Sequence, residues 1–238
     1  MHAYDPWRKV LAVWAAASAV SAVASLPGSY AFSVRQVAVS GAQTVPVAAL
    51  LEASGVVPGV PLATVNPQAL RRQLLRHPRV RDAQVEVRWP DAVRVRVWER
   101  TPFSVLRLAD GAQALLDAQA VVLQRSGKPQ ELPVILHPSV PWLQPGSRVP
   151  AEEVVRVVEE LASLPEAERH WVAWVRWLPT GDLVVGTREG FAVRCPVGQL
   201  LRGLRTARAV VRTLRARGVQ PAVVDLRFGR WAVVQPAP

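Results

Sequence analysis

Residues 83–98 read AQVEVRWPDAVRVRVW, and the alternation in this stretch decides the fold of the first half of the chain. Apolar residues occupy every second position on both sides of a turn at Pro90-Asp91, namely Ala83, Val85, Val87, Trp89, Val93, Val95 and Val97. Arg94 and Arg96 point the other way. This period of two predicts a β-hairpin that buries one face and leaves the other in water.

The residues before the hairpin predict one strand and two helices. The strand ends at Ser40-Gly41, where an alternating valine pattern stops. A first helix begins at Pro46 and has Gly55 at its C-terminal cap. A second helix begins at Asn66-Pro67, an N-cap followed by a first-turn proline, and ends at His77-Pro78. The predicted order for residues 33–101 is strand, helix, helix, strand, strand.

Residues 102–238 predict a larger, strand-rich domain with two helices. One helix begins after Pro150 and carries Glu152 and Glu153 in its first turn, where the helix dipole favours carboxylates. The other spans Gln199–Arg217, and Gly218 caps it. One face of this helix is an apolar stripe, and the opposite face carries five arginines, Arg202, Arg205, Arg208, Arg212 and Arg215. Such a stripe is typical of a solvated helix face, and it also fits an acidic partner or lipid headgroups.

Residues 10–34 carry no charged side chain and follow Arg8 and Lys9 directly. A transmembrane helix needs about 20 apolar residues, which this run supplies. A cleaved signal peptide is the rival interpretation, because Ala22-Val23-Ala24 is an acceptable cleavage site. Both interpretations carry residues 35–238 across the membrane.

Composition limits the possible partners and chemistry. The net charge is +11, which favours an anionic membrane surface or acidic partners over nucleic acid once the bulk lies outside the cytoplasm. The single cysteine, Cys195, excludes an intrachain disulfide, and its apolar strand predicts a buried structural thiol. The four histidines lack metal-ligand spacing, and no nucleophile or phosphate-loop motif is present. The sequence therefore predicts no enzyme activity, no catalytic or metal site and no cofactor.

Several segments, in order along the chain, resemble the FtsQ/DivIB family of bacterial cell-division proteins. The POTRA domain of that family is matched by Phe32–Gly41, Pro61-Leu62, Val65-Asn66, His77–Val85, Arg88–Asp91 and Val97–Pro102. Its β domain is matched by Leu116–Val121 and Asp225–Phe228. One departure is Ala120, which stands where the family usually has glycine.

The resemblance implies an α+β protein with four parts: a cytoplasmic tail (1–9), a transmembrane helix (10–32), a POTRA domain (33–101) and a β domain (102–238). Since the family keeps its N-terminal span, the resemblance favours the anchor over the signal peptide. It further implies a single-pass protein of the inner membrane, with its N-terminus in the cytoplasm, that is found at the division septum.

The resemblance also implies a scaffold that binds FtsB-like (DivIC-like) and FtsL-like partners during septum formation. Arg227 and Phe228 are carried over from the family pattern, while Trp231, Val233 and Val234 lie on the strand expected to present a free edge. Strand addition at such an edge uses unpaired backbone groups for affinity and alternate side chains for selectivity. The alternative is a secreted or membrane-anchored hydrolase with an unrecognised site.

Overall fold

A computed structural model describes residues 32–126, 131–137, 140–141 and 143–237. The chain divides into two compact units, the first ending at Glu99 and the second beginning at Arg100. The predicted tail and the predicted span lie outside the described residues, apart from Phe32. Within the described ranges, no helix is both long enough and apolar enough to cross a membrane.

The first unit has the element order that the sequence predicts. Its elements are β1 (Gln36–Ser40), α1 (Val47–Ser54), a short 3-10 helix (Leu62–Thr64), α2 (Pro67–Leu74), β2 (Val80–Arg88) and β3 (Ala92–Glu99). Strand β3 lies in the centre of the sheet, parallel to β1 and antiparallel to β2. The Oδ1 atom of Asn66 accepts hydrogen bonds from the N–H groups of Gln68 and Ala69 at 3.0 and 3.1 Å, which confirms the predicted N-cap of α2.

Burial along β3 follows the predicted alternation. Arg94 and Arg96 are exposed, whereas the three valines that alternate with them, Val93, Val95 and Val97, are at most 2% exposed. The core of this unit combines the sheet with both helices and includes Val93, Val95, Val97, Leu50, Leu62 and Leu74. The sheet therefore has one face under the helices and one in water.

Trp89 departs from the prediction. The alternation assigned it to the face of Val85 and Val87, which are half-buried. Strand β2 ends at Arg88, and Trp89 is 61% exposed at the tip of the hairpin. Because the strand stops one residue earlier, the pleat no longer sets the direction of this side chain.

The loop between β1 and α1 is held against the end of β3. A Cβ atom on Gly41, whose φ is +83°, would lie 2.1 Å from the carbonyl oxygen of Val97. The carboxylate of Glu99 accepts hydrogen bonds from the backbone N–H groups of Gln43, Thr44 and Val45 at 2.7–3.1 Å, and from the hydroxyl of Thr44. Desolvation alone would raise the pKa of Glu99, but these hydrogen bonds outweigh it and lower the pKa to about 2.

The second unit consists of twelve further elements. They are β4 (Ser104–Arg107), β5 (Gln113–Leu116), β6 (Val122–Ser126), β7 (Val134–Leu136), α3 (Glu152–Ser163), α4 (Glu166–Trp171), β8 (Val172–Trp177), β9 (Asp182–Thr187), β10 (Ala192–Pro196), α5 (Leu200–Arg215), β11 (Pro221–Phe228) and β12 (Trp231–Pro236). The strands form one nine-stranded sheet in the order β12-β11-β10-β9-β8-β7-β4-β5-β6.

Helices α3 and α5 cover one face of this sheet. A row of cross-strand partners on that face is buried, namely Leu106, Ile135, Val175, Val185, Val193 and Val224. The apolar stripe of α5 packs against this row through Leu200, Leu204, Ala207 and Val211. On the opposite side, Val105, Leu115 and Leu123 are buried in a separate cluster at β4–β6, and we call the part over β8–β12 the open face.

The prediction of two helices in this unit was wrong, because α4 is a third. Glu166 and Glu168 lie in its first turn, and Arg169 and His170 lie in its last turn, in accord with the helix dipole. The helix has six residues, which is too short for a periodic apolar pattern to reveal it.

We expect Glu99→Gln to lower the free energy of unfolding by about 1–2 kcal/mol at pH 7, because an amide accepts the three backbone hydrogen bonds less strongly than a carboxylate. The folded pKa lies below the unfolded value, so the stabilisation is fully present above pH 4.5 and is lost as the pH falls towards 2. Chemical denaturation of the full chain in mild detergent measures the effect.

The matched control for that measurement is Glu86→Gln. Glu86 is paired with Arg88 on the wet face of the sheet, where an exposed ion pair contributes about 0–1 kcal/mol. If both variants lost the same small amount of stability, or if the loss in Glu99→Gln did not shrink in acid, the role given to the Glu99 carboxylate would be wrong.

Candidate functional site

Strand β12 forms one edge of the nine-stranded sheet and pairs only with β11 among the described strands. The two strands are antiparallel and are joined by a short turn at Gly229, whose φ is +66°. In an antiparallel pair, every second residue of an edge strand directs its N–H and C=O groups away from its neighbour. The outer side of β12 therefore presents backbone donors and acceptors that a further strand could use.

A bulge near the turn changes the direction of the side chains on β11. Asp225 pairs with Val233 and Phe228 pairs with Trp231, so two residues of β11 oppose the single residue Ala232. Directly paired residues lie on the same side of a sheet. The bulge therefore places Phe228 on the open face together with Trp231 and Val233.

These three apolar side chains are in water. Phe228 is 54% exposed, Trp231 is 77% exposed and Val233 is 47% exposed. Val234 differs, because it pairs with the buried Val224 and is half-buried on the helix-covered face. The structure thus brings three of the predicted site residues together and places Val234 on the other face of the strand. Binding by any of the four stays a prediction.

Arg227 is engaged within the chain. Its guanidinium donates to both carboxylate oxygens of Asp225, at 2.9 Å from Nε to Oδ1 and 2.7 Å from Nη2 to Oδ2. Nη1 also donates to Oδ2 of Asp182 at 3.2 Å. This pairing lowers the pKa of Asp225 and raises that of Arg227 further above its usual range. Arg227 therefore connects β11 to the start of β9, and its side chain stays 27% exposed.

Arg227 also lies beside the exposed aromatic group. Its Cζ atom is 5.7 Å from the centroid of the Phe228 ring, within the range of a cation–π contact. Asp225 and Asp182 had no assigned role in the sequence analysis. The signal for Asp225 was its position only two residues before Arg227, whereas the contact of Arg227 with Asp182 crosses the sheet and has no local signature.

The open face continues from the edge towards the middle of the sheet. Trp174 lies flat on β9, where a Cβ atom on Gly186 would come within 2.1 Å of its ring. Arg176 stands over that ring, with its Cζ atom 5.7 Å from the centroid. Arg194 has a buried Nε atom without a hydrogen-bond partner among the described residues. This face therefore combines aromatic surface with positive charge.

The arginines of α5 have local contacts as well as solvent exposure. Arg205 pairs with Glu168 at 3.0 Å, and Arg215 pairs with Glu189 at 2.6 Å. Glu189 also accepts a hydrogen bond from Nε1 of Trp171, and these donors lower its pKa. Part of the basic stripe therefore serves to fasten α5 to the elements beside it.

The residues considered for chemistry show no reactive arrangement in the part of the chain that the structure describes. No group of three or more His, Cys, Asp or Glu side chains could hold a metal ion there. Cys195 is 1% exposed, and desolvation raises the pKa of its thiol to about 12. The thiol is therefore buried, as the sequence predicted.

The comparison with known proteins identifies the first unit. A family model described as "POTRA domain, FtsQ-type" matches residues 32–100. The chain is 30% identical over 225 residues to the cell division protein FtsQ of Salinibacter ruber, which covers 87% of this chain and 83% of that protein. It is also 25% identical over 209 residues to the cell division protein DivIB of Geobacillus kaustophilus, which covers 84% of this chain and 75% of that one.

A solved structure of the major extracytoplasmic domain of DivIB from Geobacillus stearothermophilus is similar to half of the chain. It has 18% sequence identity and a TM-score of 0.37, and it covers 50% of this chain and 96% of that one. By its family model, the first unit is a POTRA domain of the FtsQ type. On the similarity to FtsQ over most of both lengths, the whole chain belongs to the FtsQ/DivIB family of cell-division proteins.

We expect Arg227→Ala to destabilise the hairpin of β11 and β12, because it removes the guanidinium that pairs with the carboxylates of Asp225 and Asp182. Hydrogen–deuterium exchange over residues 221–236 should show the loss of protection. Arg230→Ala is the control, since Arg230 is an exposed turn residue. Equal exchange in both variants would contradict the structural role of Arg227.

Proposed function

We propose that the chain is a single-pass membrane scaffold of the bacterial division complex and that it catalyses no reaction. Membership of the FtsQ/DivIB family supports the role in division. The uncharged run behind Arg8 and Lys9 supports an anchor over residues 10–32, with residues 1–9 in the cytoplasm and the POTRA and β domains (33–101 and 102–238) outside. The expected location is the inner membrane at the division septum.

The partners in this proposal are FtsB-like (DivIC-like) and FtsL-like bitopic proteins. The observation that carries it is the outer side of β12, with which no strand of the described part of the chain pairs. A partner segment that adds as a further strand would satisfy the outward backbone groups of this edge. The segment would also cover side chains that are 47–77% exposed in the isolated chain.

Side chains would give the added strand its selectivity. Aromatic residues carry a large share of the binding energy at interfaces, and Phe228 and Trp231 flank the turn at the end of the edge. Two cationic side chains lie further along the open face: Arg194 on β10, opposite Asp225, and Arg176 two strands beyond it on β8. An acidic residue in the partner segment would therefore find complementary charge on this side of the sheet.

Trp231→Ala and Phe228→Ala should each weaken binding of the FtsB-like partner about tenfold or more, because each removes an exposed aromatic anchor without disturbing the core. Co-purification of the full-length proteins from membranes, followed by titration in detergent, measures the change. The control is Val219→Ala, which removes an exposed valine outside β12.

That titration decides whether the edge at β12 is the binding site for the partner. Unchanged affinity in both aromatic variants would place the contact elsewhere. A loss in Val219→Ala as large as the loss in Trp231→Ala would show that exposed apolar residues of this unit act through stability and not through a specific edge.

Depletion of the protein tests the cellular role. We expect filamentous cells without septa, and a fluorescent fusion should collect at mid-cell before constriction. A variant that carries both Phe228→Ala and Trp231→Ala should accumulate at the wild-type level yet fail to restore division. Normal septation after depletion, or a diffuse membrane label, would contradict the proposal.

A further inference from the structure

Four large apolar residues of the first unit are exposed at one end of its sheet. Phe32 is 40% exposed, Val57 59%, Val60 36% and Trp89 61%. Single exposed apolar residues are ordinary on protein surfaces, but a contiguous group of them marks a contact surface. Whether these four residues mark a contact surface therefore depends on whether they lie close together.

Hydrogen bonds and ring contacts bring the four residues together. The rings of Phe32 and Trp89 meet edge to face with their centroids 5.5 Å apart. The N–H of Val34 donates to the carbonyl oxygen of Val60 at 2.9 Å, which holds the loop at 57–61 beside the start of the described chain. Within that loop, the N–H of Val60 donates to the carbonyl oxygen of Val57 at 3.4 Å. We call these four residues the junction patch.

The loop that carries Val57 and Val60 has no charged residue, whereas a basic residue, Arg35, lies near Trp89. Residues 55–65 contain no charged side chain. Arg35 is exposed, and its backbone N–H donates to the carbonyl oxygen of Asp91 at 2.8 Å, so it lies beside the hairpin tip that carries Trp89. Tryptophan next to apolar surface, with a basic residue at its margin, is the composition found where proteins meet the headgroup region of a bilayer.

The position of the junction patch in the chain points to the same environment. Phe32 is the last residue of the proposed span and lies near the end of the uncharged run, which continues to Val34. One residue of chain reaches at most about 3.6 Å, so a span that ends here keeps the patch within a few ångströms of the lipid.

The other end of the same sheet carries two exposed large apolar residues, Val47 and Trp98, but no aromatic pair among the described residues. Val47 is 46% exposed and lies near Val45, whose N–H donates to Glu99 at the far end of β3. The length of β3 separates the two ends by roughly 25 Å. Only the end at which the uncharged run arrives combines several exposed apolar residues with an aromatic pair among the described residues.

We propose that the junction patch of Phe32, Val57, Val60 and Trp89 inserts into the lipid interface of the membrane and fixes the orientation of the first unit on the bilayer surface. This inference rests on the proposed membrane anchoring. A loop without charge and an aromatic pair would lie at headgroup depth, and Arg35 would face anionic headgroups. The anchor would then be a stiff connection, because the first folded unit begins at the lipid without a spacer.

Paired valines allow a direct test in the full-length chain. Val60→Cys and Val47→Cys place a nitroxide at two exposed positions at opposite ends of the unit, in vesicles of phosphatidylcholine and phosphatidylglycerol. The native Cys195 is buried with its thiol pKa raised to about 12, so it does not compete for the label. Collision with oxygen, which concentrates in lipid, and with a nickel chelate, which stays in water, measures the environment of each label.

We expect the ratio of oxygen to nickel accessibility to be several-fold higher at position 60 than at position 47. Trp89→Ser should lower the ratio at position 60, whereas Trp98→Ser, which removes an exposed tryptophan at the far end of β3, should leave it unchanged. Equal ratios at positions 60 and 47 would overturn the proposal. Low collision with both reagents at position 60 would also overturn it, because that result means that the label is covered by protein and not by lipid.

Alkaline extraction of the same vesicles keeps this test separate from the proposed function. Release of the chain at high pH would contradict the anchor, while a lipid-like ratio at position 60 at neutral pH would still support the junction patch. Conversely, if the chain resists extraction but the label at position 60 has the accessibility of a site in water, the anchor is supported and insertion of the junction patch into lipid is refuted. Circular dichroism of each variant confirms that the fold is kept.

Discussion

The bidentate pairing of Arg227 with Asp225 is the interaction on which the candidate site depends. It lies next to the bulge at which two residues of β11 oppose one of β12, a place where register could otherwise slip. The additional contact with Asp182 ties this point to β9, two strands further into the sheet. An edge that is fixed in this way loses little conformational entropy when a partner strand adds to it, so more of the contact energy appears as affinity.

An exposed apolar edge is also a liability, and the chain limits it. Strand β12 has six residues and ends at Pro236, which has no N–H group to offer beyond the hairpin. Charged neighbours, Arg227 and Arg230, stand at the turn. A short edge that ends in proline discourages long self-pairing, yet it still allows one partner segment to add. The sequence thus limits self-association at β12 and still leaves this edge available to a partner strand.

Patterns of a few residues in the sequence predicted the local structure, but they could not predict contacts between residues far apart in the chain. The hairpin of residues 83–98 and the cap at Asn66 followed from alternation and capping, which act over a few residues. Helix α4 was not predicted, because its six residues are too few to show a helical period of apolar positions. Arg227 was predicted as a partner-binding residue from its place in a motif, but its contact with Asp182 joins residues 45 apart, so its structural role could be read only from the fold.

Exposed apolar surface is not scattered evenly over the described residues, and this bears on how the protein works. Ten large apolar residues are exposed there, and seven of them lie in two groups. One group is the junction patch, beside the uncharged run, and the other is the set of Phe228, Trp231 and Val233 at the sheet edge. Keeping such groups in water costs free energy in the isolated chain, about 25 cal/mol for each Å² left uncovered. A surface maintained at that cost is explained most simply by two occupants, lipid at the first group and a partner strand at the second.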